Sequence, residues 1–171
     1  MTKTKITFFF LLILSLANIL ASYVSGSAIQ SHLFNSDALY LPTLFSDIFQ
    51  NNAKLDDWFL TPAPYFFPDY PAFTLAYLIG SNTYSQVIAF ALIQTALTFF
   101  AIWFVARVTT NVNSFLAAST TLVILIWLAL SAGQPFALIL KSAFHYGAFL
   151  SAILLVALWI KFDNEEKSKK K

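Results

Sequence analysis

Four residues carry most of the chemical potential of this sequence: Asp37, Asp69, Lys141 and His145. Asp37 stands in NSDALYLP and Asp69 in FFPDYP, where neighbouring aromatic side chains would restrict water around a carboxylate. A carboxyl that loses hydration has its charged form disfavoured, its pKa rises, and it becomes a candidate general base. The plainer use of a lone Asp in a wet loop is a turn or helix cap, and Asp37 fits that use as well. Lys141 and His145 lie in GQPFALILKSAFHYGAF, four residues apart, so they share a face of any helix that starts near Pro135. An ammonium beside an imidazole suits an anion. In so apolar a setting that anion is a lipid phosphate, with His145 as hydrogen-bond donor. The simpler alternative is a Lys141 that snorkels to the lipid headgroups.

Other chemistries are poorly served. Without cysteine there is no disulfide, thiolate nucleophile or Cys-based metal site. The two histidines, His32 and His145, are too few for a histidine metal centre, and neither a metal nor a cofactor is expected. Glycine-rich phosphate loops, G-x-S-x-G and H-E-x-x-H are all missing. Asp47 reads as solvated. The adjacent Asp56 and Asp57 read the same way, or as ligands of a divalent cation if other oxygens help.

The elements that must position these residues belong to an all-α integral membrane protein. The 171-residue chain is 58% hydrophobic and 11% charged, with a mean hydropathy of +0.71. A soluble domain usually carries about a quarter charged residues. Four stretches, Ile6 to Val24, Val87 to Ala106, Phe115 to Ala132 and about Ala143 to Ile160, have the length and composition of transmembrane helices. With the N-terminus inside, eight of the ten basic residues are cytoplasmic, and the outer segments keep only Lys54 and Lys141. Both termini are therefore expected in the cytoplasm of a cell bounded by this plasma or inner membrane. The first span reads as a signal-anchor, with a cleaved signal peptide as the alternative. The layout is then a first helix over 1–24, an extracytoplasmic aromatic and proline-rich segment over 25–80, a three-helix region over 81–161 and a basic tail over 162–171.

Residues 25–80 hold twelve aromatics, too many for a solvated loop, and this segment is expected on the outer membrane surface and against the helix bundle, with short interfacial helices. In LPTLFSDIFQ, residues Leu41, Leu44, Phe45, Ile48 and Phe49 fall on one helical face, with Pro42 suited to the first turn. LTPAPYFFPDYP carries four of the six prolines and forms a stiff strap. A second helix follows Pro71 and runs to Gly80.

One span followed by a long outer segment with acids and interfacial helices (SDALYLPTLFSDIF, WFLTPAPYFFPDYP) resembles the N-terminal part of GT-C-type membrane glycosyltransferases. The resemblance is one of layout over about residues 1–110. It implies a polyprenyl-phosphate sugar as substrate and an acidic base on the first outer loop, a place that Asp37 occupies. The paired acids usual in that family are absent at Asp37, and four spans are fewer than its members have. The expected function is thus a multi-pass membrane protein with a glycosyltransferase-like module, or a truncated relative of one. The alternative is a small assembly or accessory subunit that offers the polar face of Gln94, Thr95 and Thr98 to partner transmembrane helices. Membrane lipids are partners in either case, and nucleic acid in neither. A transporter component fits least, because no ionisable residue lies centrally in any of the four spans.

Overall fold

The structure, a computed structural model, describes residues 3–26, 33–58, 66–109, 113–132, 136–141 and 145–169, without the side chains of Lys3, Thr4 and His145. These residues form α1 (Lys3–Val24), α2 (Ser36–Gln50), α3 (Asp69–Ile79), α4 (Thr83–Thr109), α5 (Ser114–Ser131) and α6 (His145–Lys169). Single 3-10 turns occupy Leu55–Asp57 and Phe136–Ile139, and no strand occurs among the described residues.

Four of the helices, over Lys5–Val24, Thr83–Thr109, Ser114–Ser131 and Tyr146–Lys169, are long and apolar enough to cross a membrane. They are the four stretches read from the sequence. Their outward faces stay apolar, with Phe10 on α1, Phe100 on α4, Ile124 and Trp127 on α5, and Leu155 and Trp159 on α6 all exposed.

Helix α4 is the axis and touches each of the other five helices. Its inward face is built from small and hydroxyl residues, including Ala91, Thr95, Thr98 and Ala101. Short side chains let helix backbones approach closely. The hydroxyls are satisfied within the helix, Thr95 donating to the Ala91 carbonyl and Thr98 to that of Gln94, each at 2.8 Å. One end of the bundle is tied by tyrosines. Tyr23 donates to the Leu140 carbonyl, Tyr84 donates to the Tyr23 carbonyl, and Phe34 stacks on Tyr84 with ring centres 5.0 Å apart.

Helices α3 and α4 make a tight hairpin. At Gly80 a Cβ would stand 2.6 Å from the Gln86 nitrogen, so glycine is what lets α4 return along α3. Phe73 then meets Phe90 edge-on at 5.3 Å. Extending that antiparallel pairing to the start of α3 places Asp69 opposite the Gln94 turn, about 16 Å along α4 from Thr83. Leu41, Leu44 and Phe45 of α2 close over this hairpin against Phe73, Ala76 and Phe90.

Two local expectations need correction. Asn35, not Pro42, opens α2, its Oδ1 accepting from the Ala38 amide at 3.0 Å. Pro42 therefore lies buried inside the helix, where it cannot give the Ala38 carbonyl its usual amide. The apolar face of α2 packs on α3 and α4, in line with the expected place of this segment against the bundle, and Phe49 stays 63% exposed. Helix α3 starts at Asp69 instead of after Pro71; proline is tolerated in a first turn, whose amides lack intrahelical partners anyway. The strap's residues 59–65 lie outside the described residues. Of its remainder, Phe66 and Phe67 are 61% and 68% exposed, so the bundle does not cover them, and Phe66 touches Tyr70 edge-on at 5.5 Å.

Candidate functional site: a buried carboxyl between two helix starts

Proline residues at 68 and 71 confine α3 to begin where it does, and that start is aimed into the bundle. Asp69, the first residue of α3, is 2% exposed. Its partner surface is Gly147 in the first turn of α6. A Cβ at 147 would stand 2.8 Å from Asp69 Oδ2, 2.8 Å from the Phe67 carbonyl oxygen and 3.0 Å from Pro68 Cδ. The turn before α3 is thus seated on α6 at the one position without a side chain.

Beside Gly147, Tyr146 is fully buried. Its hydroxyl donates to the Gln94 carbonyl at 2.8 Å and lies 3.1 Å from Thr98 Oγ1. Asp69 is within electrostatic reach of Tyr146. The Gln94 carboxamide is 0% exposed, and neither its oxygen nor its nitrogen has a hydrogen-bond partner among the described residues. Asp69 Oδ1 is unpartnered in the same sense. Leaving a buried polar group unsatisfied typically costs about 1–3 kcal/mol. Asp69 Oδ1 and the two Gln94 atoms are buried polar groups that no described residue satisfies, and such groups are few in native proteins and call for a role other than stability.

Desolvation pushes the Asp69 carboxyl from its ordinary 3.8 up to about 7, and contact with its own backbone amide only partly offsets this. The partial positive charges at the N-termini of α3 and α6 favour the ionised form. A carboxyl poised near neutrality can accept and return a proton under physiological conditions.

The other acids serve local structure. Asp37 is half-buried in the first turn of α2, where a negative charge suits the helix start; the carboxyl at Gly147 is that of Asp69. Asp57 accepts from the Lys54 amide at 3.1 Å and Asp47 from the Asn51 side chain at 3.0 Å, while Asp56 lies in the exposed turn between them and the strap. No group of three or more His, Cys, Asp or Glu side chains that could hold a metal occurs among the described residues.

The cationic pair differs from its expected form. Residues Phe136–Ile139 make a 3-10 turn and α6 begins only at His145, so Lys141 and His145 do not share one helix. Lys141 is 4% exposed and does not snorkel. The His145 side chain lies outside the described residues, but its backbone opens α6 two residues before Gly147. Asp69 therefore meets the segment that carries His145.

Sequence reasoning did not foresee Gly147, Tyr146 and Gln94 as neighbours of an acid. Gln94 and Thr98, expected to face partner helices, turn inward at 0% exposure. Asp69 belongs to α3, which is not one of the four long apolar helices, and none of those carries an ionisable residue at its centre. No family model, curated protein or solved structure matches the chain.

Proposed function

We propose that the chain is an integral membrane protein that handles a phosphate-bearing lipid, with Asp69 as its proton-exchanging group. The observation that carries this reading is the seat of the Asp69 carboxyl on the opening turn of α6, the turn that begins at His145. The lipid class is a polyprenyl-phosphate sugar, whose phosphate carries the glycosyl group to be transferred, in keeping with the glycosyltransferase-like layout. Lys141 and His145 hold the phosphate. The Asp69 carboxylate takes the proton of an acceptor hydroxyl as its oxygen bonds to the sugar carbon, and the bond from that carbon to the phosphate oxygen breaks with its electron pair leaving on the phosphate. The polar face of Gln94, Thr95 and Thr98 is buried, which removes the main support for an accessory subunit.

Binding of a polyprenyl phosphate to the full-length protein in nanodiscs, followed by native mass spectrometry, tests the roles. Lys141→Ala should weaken binding about tenfold, the loss of roughly 1.4 kcal/mol. Asp69→Asn should leave binding within about twofold and abolish sugar transfer to an acceptor alcohol. Unchanged binding in Lys141→Ala sinks the phosphate role, and loss of transfer in Asp37→Asn with none in Asp69→Asn moves the base to Asp37. A second reading, a proton-linked transporter component, rests on the same buried carboxyl. It requires a proton flux in proteoliposomes without lipid phosphate, lost in Asp69→Asn.

Both termini lie in the cytoplasm in this proposal, because that orientation keeps eight of ten basic residues inside. Exposed Ser36 and Ser168 should then respond oppositely as cysteines to an impermeant thiol reagent on intact cells. Labelling of Ser168→Cys alone would invert the topology.

A further inference from the structure

At the opposite end of the bundle from the tyrosine ties, the last turn of α4 and the late turns of α6 flank an open, shallow cleft of about 320 Å³. Its walls are Arg107, Val108, Lys161, Asn164, Glu165 and Ser168. That volume is at the lower end of the range for small-ligand sites, roughly 300–1,000 Å³. Several features give it a direction. The Arg107 guanidinium lies over the Trp103 ring, 5.3 Å from its centre, which restrains an otherwise mobile side chain. No salt bridge joins Arg107 to a carboxylate among the described residues. Asn164 Nδ2 donates to the Val108 carbonyl at 3.4 Å and so covers one of the terminal carbonyls that would repel an anion.

Lys161 is paired, but weakly. Its Nζ is 3.8 Å from Glu165 Oε1, and both side chains are about half exposed, at 49% and 52%. Exposed ion pairs one helical turn apart contribute little and exchange readily. The neighbouring Lys167–Asp163 pair, at 2.6 Å, neutralises itself outside the cleft. What remains inside is two cations, one displaceable acid and the Ser168 hydroxyl.

We propose that this cleft binds the phosphate of an anionic ligand, with Arg107 and Lys161 as its cationic walls. Arginine presents several fixed donors that match phosphate oxygens, and the displaced Glu165 swings into solvent. In the membrane reading the cleft stands where two apolar helices end, at headgroup depth, so an anionic phospholipid is one source of that phosphate and a soluble phosphate compound the other. The inference rests on membrane insertion and on no feature of the Asp69 centre.

Ligand-induced stabilisation and native mass spectrometry of the full-length protein in neutral detergent test it, using phosphatidylglycerol, phosphatidylcholine and inorganic phosphate as separate probes. Expected results are binding of phosphatidylglycerol over phosphatidylcholine, about tenfold weaker in Arg107→Gln and in Lys161→Gln and largely kept in Arg107→Lys. A response to inorganic phosphate without one to phosphatidylglycerol assigns the cleft to a soluble phosphate compound. Glu165→Gln should tighten binding severalfold while Glu166→Gln, a charge change beyond the cleft walls, should not. Equal effects of those two variants, or unchanged binding in both glutamine replacements of the cations, overturn the site. Lys167→Gln, which removes a cation outside the cleft walls, should leave this binding intact, and a loss seen only in Lys141→Ala would assign the lipid to the Asp69 centre instead.

Discussion

Gly147→Ala should lower the melting temperature of the protein by several degrees. Two effects of opposite sign compete at this position. Alanine is a better helix residue than glycine, which on its own would stabilise α6 by about 0.5–1 kcal/mol. Against that, the new methyl would stand 2.8 Å from Asp69 Oδ2, 2.8 Å from the Phe67 carbonyl oxygen and 3.0 Å from Pro68 Cδ. One of these is a main-chain atom and another a ring carbon, so neither can move aside by rotating a side chain. Overpacking of this kind typically costs about 1–3 kcal/mol, and the steric term wins. At roughly 2–4 °C per kcal/mol for a chain of this size, a loss of a few degrees is readable in a thermal melt. Adding Asp69→Ala should restore only part of the loss, because the Phe67 carbonyl and Pro68 ring remain. A melting temperature equal to or above that of the unaltered protein would show that the turn before α3 is not seated on α6.

The long helices were legible because their signal is composition over about twenty residues, which local irregularity cannot hide. The short elements were less so. Pro42 looked like a helix start, yet Asn35 supplied a real cap and tertiary burial of Leu41 and Leu44 carried the helix through the proline. Lys141 and His145 looked like helical neighbours, whereas the chain makes a 3-10 turn at Phe136–Ile139 and restarts at His145. The site was half legible. Asp69 stood out through its aromatic and proline flanks. Its counterpart could not, because Gly147 contributes by lacking a side chain and a single glycine in HYGAF looks like any other. The depth of Asp69 was hidden for a related reason. A helix of eleven residues gives no composition signal for where it packs, and only the close turn at Gly80 lays it along α4.

Asp69→Asn should stabilise the protein by an amount that grows with pH. Below about pH 4 the carboxyl is neutral in both folded and unfolded chains, so the variant and the parent should differ little. Between 3.8 and about 7 the folded protein retains a proton that the unfolded chain releases, and the parent loses stability steadily as pH rises. Above about 7 the full penalty of a buried carboxylate is present and the difference levels off. A shift of that size corresponds to a few kcal/mol, at about 1.4 kcal/mol for each pH unit of the window. The groups facing Asp69 do not blur this window. From α4 it meets the neutral Gln94 turn. From α6 it meets Tyr146, whose ordinary value of about 10 lies above the range, as does that of Tyr70 beside it on α3. The comparison is therefore the melting temperature of the two proteins from pH 4 to pH 9. A constant offset across that range would mean that Asp69 is not held in its raised, buried state. The same group sets an opposite trend for function. If its carboxylate is the base, the rate of transfer rises through about pH 7 while stability falls, and Asp69→Asn abolishes the first as it relieves the second. That coupling separates a working carboxyl from a buried acid of purely structural use, whose removal would change stability and leave transfer untouched.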